Sequence, residues 1–193
     1  MFHGYIYFFE EGNGCKVRDN MAKKPVVGVL SGERIVVFNK EGMSRLSAKR
    51  YGELNENFLS LSLIEGLYLL SKNRIKVKYK DRFLSFEELY NYAKEIDERL
   101  CIKYLVYRDL KNRGYTVKTG LKYGADFRLY SRENIEEIHS EYLVKVFSED
   151  KPCSISELTG FVRVAHSVRK KLIIAIVDND GDIIYYNMEY IRP

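Results

Sequence analysis

Hydrophobic and polar positions alternate in distinct ways along the chain and predict its first elements. Residues 25–38 hold two β-branched runs around a Ser-Gly-Glu turn, which predicts a β-hairpin. Leucines recur at helical spacing over 58–70, which predicts a helix. Apolar and basic residues alternate over 74–80, as they do in a half-exposed strand. The first part of the chain is therefore predicted to be a small α+β unit.

A helix-capping signal marks the start of a second unit. Ser85 precedes Glu88 by three residues at the head of the helical pattern SFEELYNYAKEI, which is a capping box. We therefore predict an N-terminal α+β domain at 1–83 and a C-terminal catalytic domain at 84–193, the catalytic assignment depending on the resemblance described below.

The second unit is predicted to mix helices with strands. A helix is expected over 98–112, before Gly114, and another is expected to begin at Ser154. The latter has one apolar face, formed by Leu158, Phe161, Val162, Ala165 and Val168.

Strands are predicted over 116–119, 125–130 and 141–147. A final hairpin joins LIIAIVD to IIYYNMEYI through a turn at 179–181. The predicted fold class is α+β, with two mixed α/β domains of which the C-terminal one has a central mixed sheet flanked by helices.

Composition limits where the protein can act. Of the 193 residues, 46% are hydrophobic, yet none of the apolar runs approaches the roughly 20 residues that span a bilayer. The opening MFHGYIYFFEEG lacks the features of a signal peptide. Three cysteines without CxxC spacing argue against a disulfide framework and a zinc site. We expect a cytoplasmic protein with no membrane partner and no cofactor.

Positive charge is concentrated in one segment. The net charge is +5, and residues 107–132 carry seven basic side chains against two acidic ones, with aromatic residues between them. Such a mixture suits RNA, because cations contact phosphates and rings stack on unpaired bases. A solvated basic face with no ligand is the simpler interpretation, and composition leaves both open.

The acidic turn DNDGD contains Asp178, Asp180 and Asp182. Counted as a calcium-binding EF-hand loop, it would place Ile183 where glycine is required and predicted strands where helices are required. A tight hairpin turn is therefore predicted.

Three ordered blocks carry a resemblance to a known family. YRDLKNRGYTVKTGLKYGADFRLY, HSEYLVKV and RVAHSVRKK together resemble the catalytic domain of the archaeal tRNA-splicing endonucleases. The resemblance covers about residues 80–193 strongly and the N-terminal part only weakly, and it implies a nuclease-like C-terminal domain. It also implies RNA cleavage without a metal by Tyr130 as base, His139 as acid and Lys170 as electrostatic stabiliser.

The implied substrate is precursor tRNA folded into a bulge–helix–bulge. In this family a 2′-hydroxyl attacks the adjacent phosphate and leaves a 2′,3′-cyclic phosphate and a 5′-hydroxyl. A free tyrosine has a pKa of about 10, so Tyr130 needs nearby cations to act as a base, whereas histidine, with a pKa of about 6.5, can donate a proton near neutrality.

The resemblance assigns further roles. Arg163 matches an arginine that stacks on a bulged base, and Asp126 matches a residue that orients its neighbours through hydrogen bonds. Asp178, Asp180 and Asp182 match an acidic loop that docks into a basic pocket of another subunit, and the last strand matches one that pairs across a dimer axis. A homotetramer is expected.

Other interpretations of these residues stay open. His166 competes with His139, and Arg169 competes with Arg163. The chain could instead be a non-catalytic RNA-binding or structural subunit of a heteromeric enzyme. A metal-dependent nuclease could use Asp126, Glu141 and Lys145, although their spacing fits such a site poorly.

Overall fold

The computed structural model describes residues 24–130 and 140–191. In these ranges the chain forms two mixed sheets, each flanked by helices, so the predicted fold class is confirmed. No helix in the described ranges combines the length and the apolar character that crossing a membrane requires.

The first sheet has six strands in the order β3-β4-β2-β1-β5-β6. Its elements are β1 (Val26–Ser31), β2 (Arg34–Val37), α1 (Lys40–Ser47), β3 (Glu53–Leu54), β4 (Leu59–Ser62), α2 (Leu63–Ser71), β5 (Ile75–Tyr79) and β6 (Arg82–Leu84). β1 and β2 form the predicted hairpin, and β5 is the predicted half-exposed strand.

The prediction of one helix over 58–70 was wrong in its first part. Leu59–Ser62 is a strand paired with β2, which buries Leu59 and Leu61. The helix begins only after Ser62, whose hydroxyl accepts from the Glu65 backbone N–H while the Glu65 carboxylate accepts from the Ser62 backbone N–H. This capping box sets the helix start, because it satisfies backbone donors that the first turn leaves free.

Two further helices connect the sheets. These are α3 (Phe86–Ile96), which begins at the predicted Ser85 capping box, and α4 (Leu100–Asn112). Both pack against α2, and the rings of Tyr68 and Tyr107 meet edge to face at 5.7 Å. Buried side chains from both sheets consequently belong to one continuous hydrophobic core, and a second, smaller cluster lies between the second sheet and α5. The domain limits 1–83 and 84–193 stay a prediction.

The second sheet has five strands in the order β11-β10-β9-β8-β7. Its elements are β7 (Thr116–Thr119), a short 3-10 turn (Leu121–Tyr123), β8 (Phe127–Tyr130), β9 (Tyr142–Ser148), α5 (Ile155–Ser167), β10 (Lys171–Val177) and β11 (Ile183–Met188). β9 and β10 are parallel and joined through α5, whereas the other pairs are antiparallel. The predicted apolar face of α5 packs on this sheet.

Asp126 ties three parts of the second unit together. Its side chain is only 6% exposed and forms a bidentate contact with Arg99 of the α3–α4 connection, at 3.3 Å. The same carboxylate accepts from the Val146 backbone N–H on β9 at 2.8 Å, and Lys103 and Lys145 lie within 4 Å. The orienting role expected for Asp126 is therefore present in the structure.

We predict that Asp126→Ala destabilises the fold by about 2–4 kcal/mol, because it leaves partly buried cations and a backbone donor without their buried carboxylate partner. Urea unfolding of both proteins would measure the difference. Glu56→Ala is the control, since Glu56 is exposed and makes no ion pair with a described residue. A loss no larger for Asp126→Ala than for this control would contradict the proposed anchoring.

Candidate active site

Tyr130 and Lys170 lie at the same end of the second sheet. Tyr130 is the last residue of β8, and the next strand starts beside it, where the Glu141 N–H donates to the Leu129 carbonyl at 2.9 Å. Lys170 immediately precedes β10, whose Lys171 pairs with Tyr142 at the start of β9. Residues 40 positions apart in sequence thus lie at the same end of the sheet, with β9 between the strands that carry them.

The end of α5 delivers Lys170 to this position. Arg169 adopts a left-handed φ of 54°, and its N–H donates to the His166 carbonyl. The Lys170 N–H donates to the Ala165 carbonyl, which completes a Schellman motif. The Lys171 N–H then donates to the Glu141 carbonyl and begins the parallel ladder with β9.

The Lys170 ammonium has two partners. Its Nζ donates to the Ser140 carbonyl at 2.5 Å and lies 5.8 Å from the centre of the Tyr123 ring. An ammonium has three donors, so donors remain for another acceptor. His139 lies outside the described residues, but it directly precedes Ser140 in the sequence.

Tyr123 is a neighbour of Lys170 that the sequence analysis did not single out. It ends the 3-10 turn, which Gly124 closes with a left-handed φ of 69°. The ring is partly buried against the apolar cluster below α5. A hydrogen bond with Lys122, assisted by the charges of Lys170 and Arg128, lowers the pKa of the Tyr123 phenol. Positive potential is therefore concentrated at this end of the sheet.

Tyr130 faces a crevice between the two sheets. Along β8, Phe127 and Leu129 are buried, whereas Arg128 and Tyr130 point to the other side of the strand. The crevice has a volume of about 280 Å³ and is lined by Ser47, Arg50, Tyr51, Gly52, Leu54, Thr116, Lys118 and Tyr130. The Tyr130 hydroxyl makes no hydrogen bond with any residue in the described ranges.

Lys118 holds the two walls of this crevice together. Its ammonium donates to the Gly52 carbonyl and lies 3.6 Å from the Glu65 carboxylate. Glu65 in turn accepts from the Gly52 N–H at 2.9 Å. Burial lowers the pKa of Lys118, an effect that the neighbouring Glu65 opposes. These contacts therefore hold the connection between α1 and β3 against β7.

The other candidate residues lie at different places. Arg163 is exposed on α5, and no hydrogen bond, ion pair or ring contact joins it to Tyr130 or Lys170. His166 lines a small pocket that also contains Lys170, and its ring packs against Tyr190 at 4.9 Å. Glu141 pairs with Lys171 at 3.2 Å while Asp126 faces Arg99, so the carboxylates considered for a metal-dependent site do not converge.

The acidic turn lies at the opposite end of β10 from Lys170. The Asp178 carboxylate accepts from the N–H groups of Asp180 and Asp182, at 3.0 and 2.8 Å, and these hydrogen bonds stabilise the turn. The side chains of Asp180 and Asp182 are exposed. In the described ranges no three histidine, cysteine or acidic side chains are close enough to hold a metal ion. The predicted hairpin turn is confirmed.

Comparison with known proteins agrees with this architecture. Residues 26–90 match the model for the N-terminal domain of the tRNA intron endonucleases, and residues 100–185 match the model for their catalytic C-terminal domain. These two matches cover the first sheet and the second sheet as far as Tyr185 in β11.

Full-length relatives are also similar. The tRNA-splicing endonuclease of Methanococcus maripaludis is 68% identical over 171 residues, which is 88% of this chain and 97% of that protein. The enzyme of Pyrococcus abyssi is 47% identical over 171 residues, with 88% and 99% covered, and that of Thermococcus kodakarensis is 46% identical over 168, with 86% and 99% covered. The resemblance seen in the motifs is confirmed, and the chain belongs to the archaeal tRNA-splicing endonuclease family.

Proposed function

We propose that this protein is an endoribonuclease that cuts precursor tRNA at both splice sites of a bulge–helix–bulge, without a metal ion. The observation that carries the proposal is the position of Tyr130 and Lys170 at the same end of the second sheet, on either side of β9, with the ammonium bound to Ser140, the residue that follows His139. Precursor tRNA is a cytoplasmic substrate, so we place the enzyme in the cytoplasm.

The chemistry follows from the three side chains. Tyr130 takes the proton of the 2′-hydroxyl, whose oxygen attacks the adjacent phosphorus. His139 gives a proton to the departing 5′-oxygen as the phosphorus–oxygen bond breaks. Lys170 stabilises the extra negative charge on the phosphorane between these steps. The products are a 2′,3′-cyclic phosphate and a 5′-hydroxyl.

Arg163 fits a role in binding rather than in the reaction. Its guanidinium is exposed and makes no ion pair with a described residue, so it can stack on an extruded base of the RNA. The contact would hold a bulge at the enzyme while contributing nothing to proton transfer.

A homotetramer supplies the two equivalent sites that two symmetric cuts need. We propose that Asp180 and Asp182 make the contact with another subunit. Their carboxylates are exposed, whereas the Asp178 carboxylate is occupied by hydrogen bonds within the turn. β11 is the edge strand of its sheet, and Ile184 and Tyr186 on it are about half exposed, so a second copy can pair there.

Cleavage in excess EDTA tests the function directly. Purified protein incubated with an intron-containing precursor tRNA should release the intron by two cuts, with cyclic phosphate and 5′-hydroxyl ends identified by enzymatic end analysis. Tight binding without cleavage would instead indicate a non-catalytic subunit. Cleavage only after magnesium is added would indicate a metal-dependent nuclease.

Single substitutions test the three roles. Tyr130→Phe, His139→Ala and Lys170→Ala should each slow single-turnover cleavage by about 10²–10⁴-fold and leave the Kd for RNA nearly unchanged, because each removes a transition-state interaction. Tyr79→Phe and Lys94→Ala are controls, since both residues lie outside the second sheet. Equal losses of binding and rate in all three would contradict the roles.

Arg163→Ala should weaken binding of the bulge, and unchanged affinity and rate would remove it from the site.

The docking assignment predicts a change in mass. The double variant Asp180→Asn/Asp182→Asn should shift the protein from tetramer toward dimer in light scattering at a fixed concentration, because it removes two charges from the contact. Asp81→Asn, in the exposed turn between β5 and β6, should leave the mass unchanged. A wild-type protein that is not tetrameric, or a double variant that stays so, would overturn the assignment.

A further inference from the structure

The Lys170 ammonium lies over the ring of Tyr123, with its nitrogen 5.8 Å from the ring centre. We propose that Tyr123 is a positioning residue for the reaction, whose ring face holds the ammonium where it meets the phosphate. The proposal rests on the proposed function, because it takes Lys170 as the group that stabilises the phosphorane.

A lysine in this role needs such support. The Schellman motif at the end of α5 fixes the Lys170 backbone, but the ammonium is carried on a flexible four-carbon stem. The Ser140 carbonyl binds the ammonium at 2.5 Å, and the Tyr123 ring attracts it through the negative potential of its face. A charge that is held in place before the reaction stabilises the transition state without a cost of reorganisation.

Backbone contacts hold Tyr123 in turn. The Tyr123 N–H donates to the Gly120 carbonyl at 2.8 Å, and the Gly120 N–H donates to the Asp126 carbonyl at 3.1 Å. The Asp126 N–H donates to the Val144 carbonyl at 2.9 Å. A Cβ on Gly120 would lie 2.9 Å from the Ala125 carbonyl oxygen, so the turn packs closely on itself. The turn that carries the ring is therefore anchored to β9, the strand that pairs with β10.

The surroundings of the ring favour positioning over stacking on RNA. The ring packs against the apolar cluster below α5, and the Lys122 ammonium also lies over it, 5.0 Å from its centre. A base that stacked on the ring would compete with two ammonium groups. The phenol hydroxyl is bound by Lys122. A role in proton transfer would depend on that hydroxyl, whereas the positioning role depends on the ring.

Ring substitutions test the proposal in single-turnover cleavage of intron-containing precursor tRNA. Tyr123→Phe keeps the aromatic face and should cleave within about threefold of the wild-type rate. Tyr123→Leu removes the face and should cleave about 10–100-fold more slowly with an unchanged Kd for RNA, because a displaced lysine loses a transition-state contact rather than a binding contact.

Tyr79→Leu is the matched control. The Tyr79 ring also faces an ammonium, that of Lys80 at 5.5 Å, but it belongs to the first sheet, so its loss should leave the rate unchanged. Tyr123→pentafluorophenylalanine, incorporated by nonsense suppression, keeps the shape of the ring and reverses the polarity of its face, so it should be about as slow as Tyr123→Leu. This variant decides the question if Tyr123→Leu does not fold.

A double-mutant cycle tests whether Tyr123 acts through Lys170. Tyr123→Leu should slow a Lys170→Ala enzyme by less than about threefold, because the group that the ring positions is already gone. Equal slowing in both backgrounds, or in the Tyr79→Leu control, would overturn the proposal. So would a rate for Tyr123→Phe as low as that for Tyr123→Leu, which would assign the role to the hydroxyl. A weaker Kd in Tyr123→Leu would overturn it by assigning the ring to base stacking.

Failure of the proposed function would look different. It would appear as a wild-type protein that does not cut precursor tRNA, or as a Lys170→Ala enzyme that cuts at the wild-type rate. Failure of the positioning role alone would appear in an enzyme that depends on Lys170 and yet cuts equally well as wild type, as Tyr123→Phe and as Tyr123→Leu.

Discussion

The parallel pairing of β9 and β10 is the constraint on which the site depends. A parallel pair requires the chain to return to its starting end, and here α5 makes that return. The end of α5 therefore lies at the end of the sheet where β9 begins. Lys170, the last residue before β10, is consequently placed beside Ser140. On the other side of β9, β8 ends at Tyr130, at the same end of the sheet. Antiparallel pairing of these strands would have put Lys170 at the other end of the sheet.

A continuous core gives the two sheets a fixed relation. Tyr68 of α2 contacts Tyr107 of α4, and the polar contacts among Gly52, Glu65 and Lys118 lie at the edge of this packing. Removing buried polar groups from such a network is costly, so the contacts favour one relative position of the sheets. The first sheet thereby becomes a wall of the crevice that Tyr130 faces.

Local signals in the sequence predicted most elements but few of the contacts at the site. Hairpins and capping boxes depend on residues two to four positions apart, so β1–β2 and the start of α3 were predictable. β4 was missed because its leucines also fit a helical spacing, and the Ser62–Glu65 box that separates strand from helix went unnoticed. Lys170 and Tyr123 are 47 residues apart, and no local pattern can indicate such a pair. Tyr130 was selected among 16 tyrosines by its motif rather than by its own chemistry.

Lys170 and the acidic turn are separated by the length of β10, which at seven residues is about 20 Å. A single chain therefore cannot bring its own carboxylates to its own lysine. Under the proposed function, the turn would engage another subunit while the opposite end of the sheet holds RNA, so the two surfaces would not compete for space. Assembly and catalysis would then be separable traits, and a mutation could change either one without an obligatory penalty to the other.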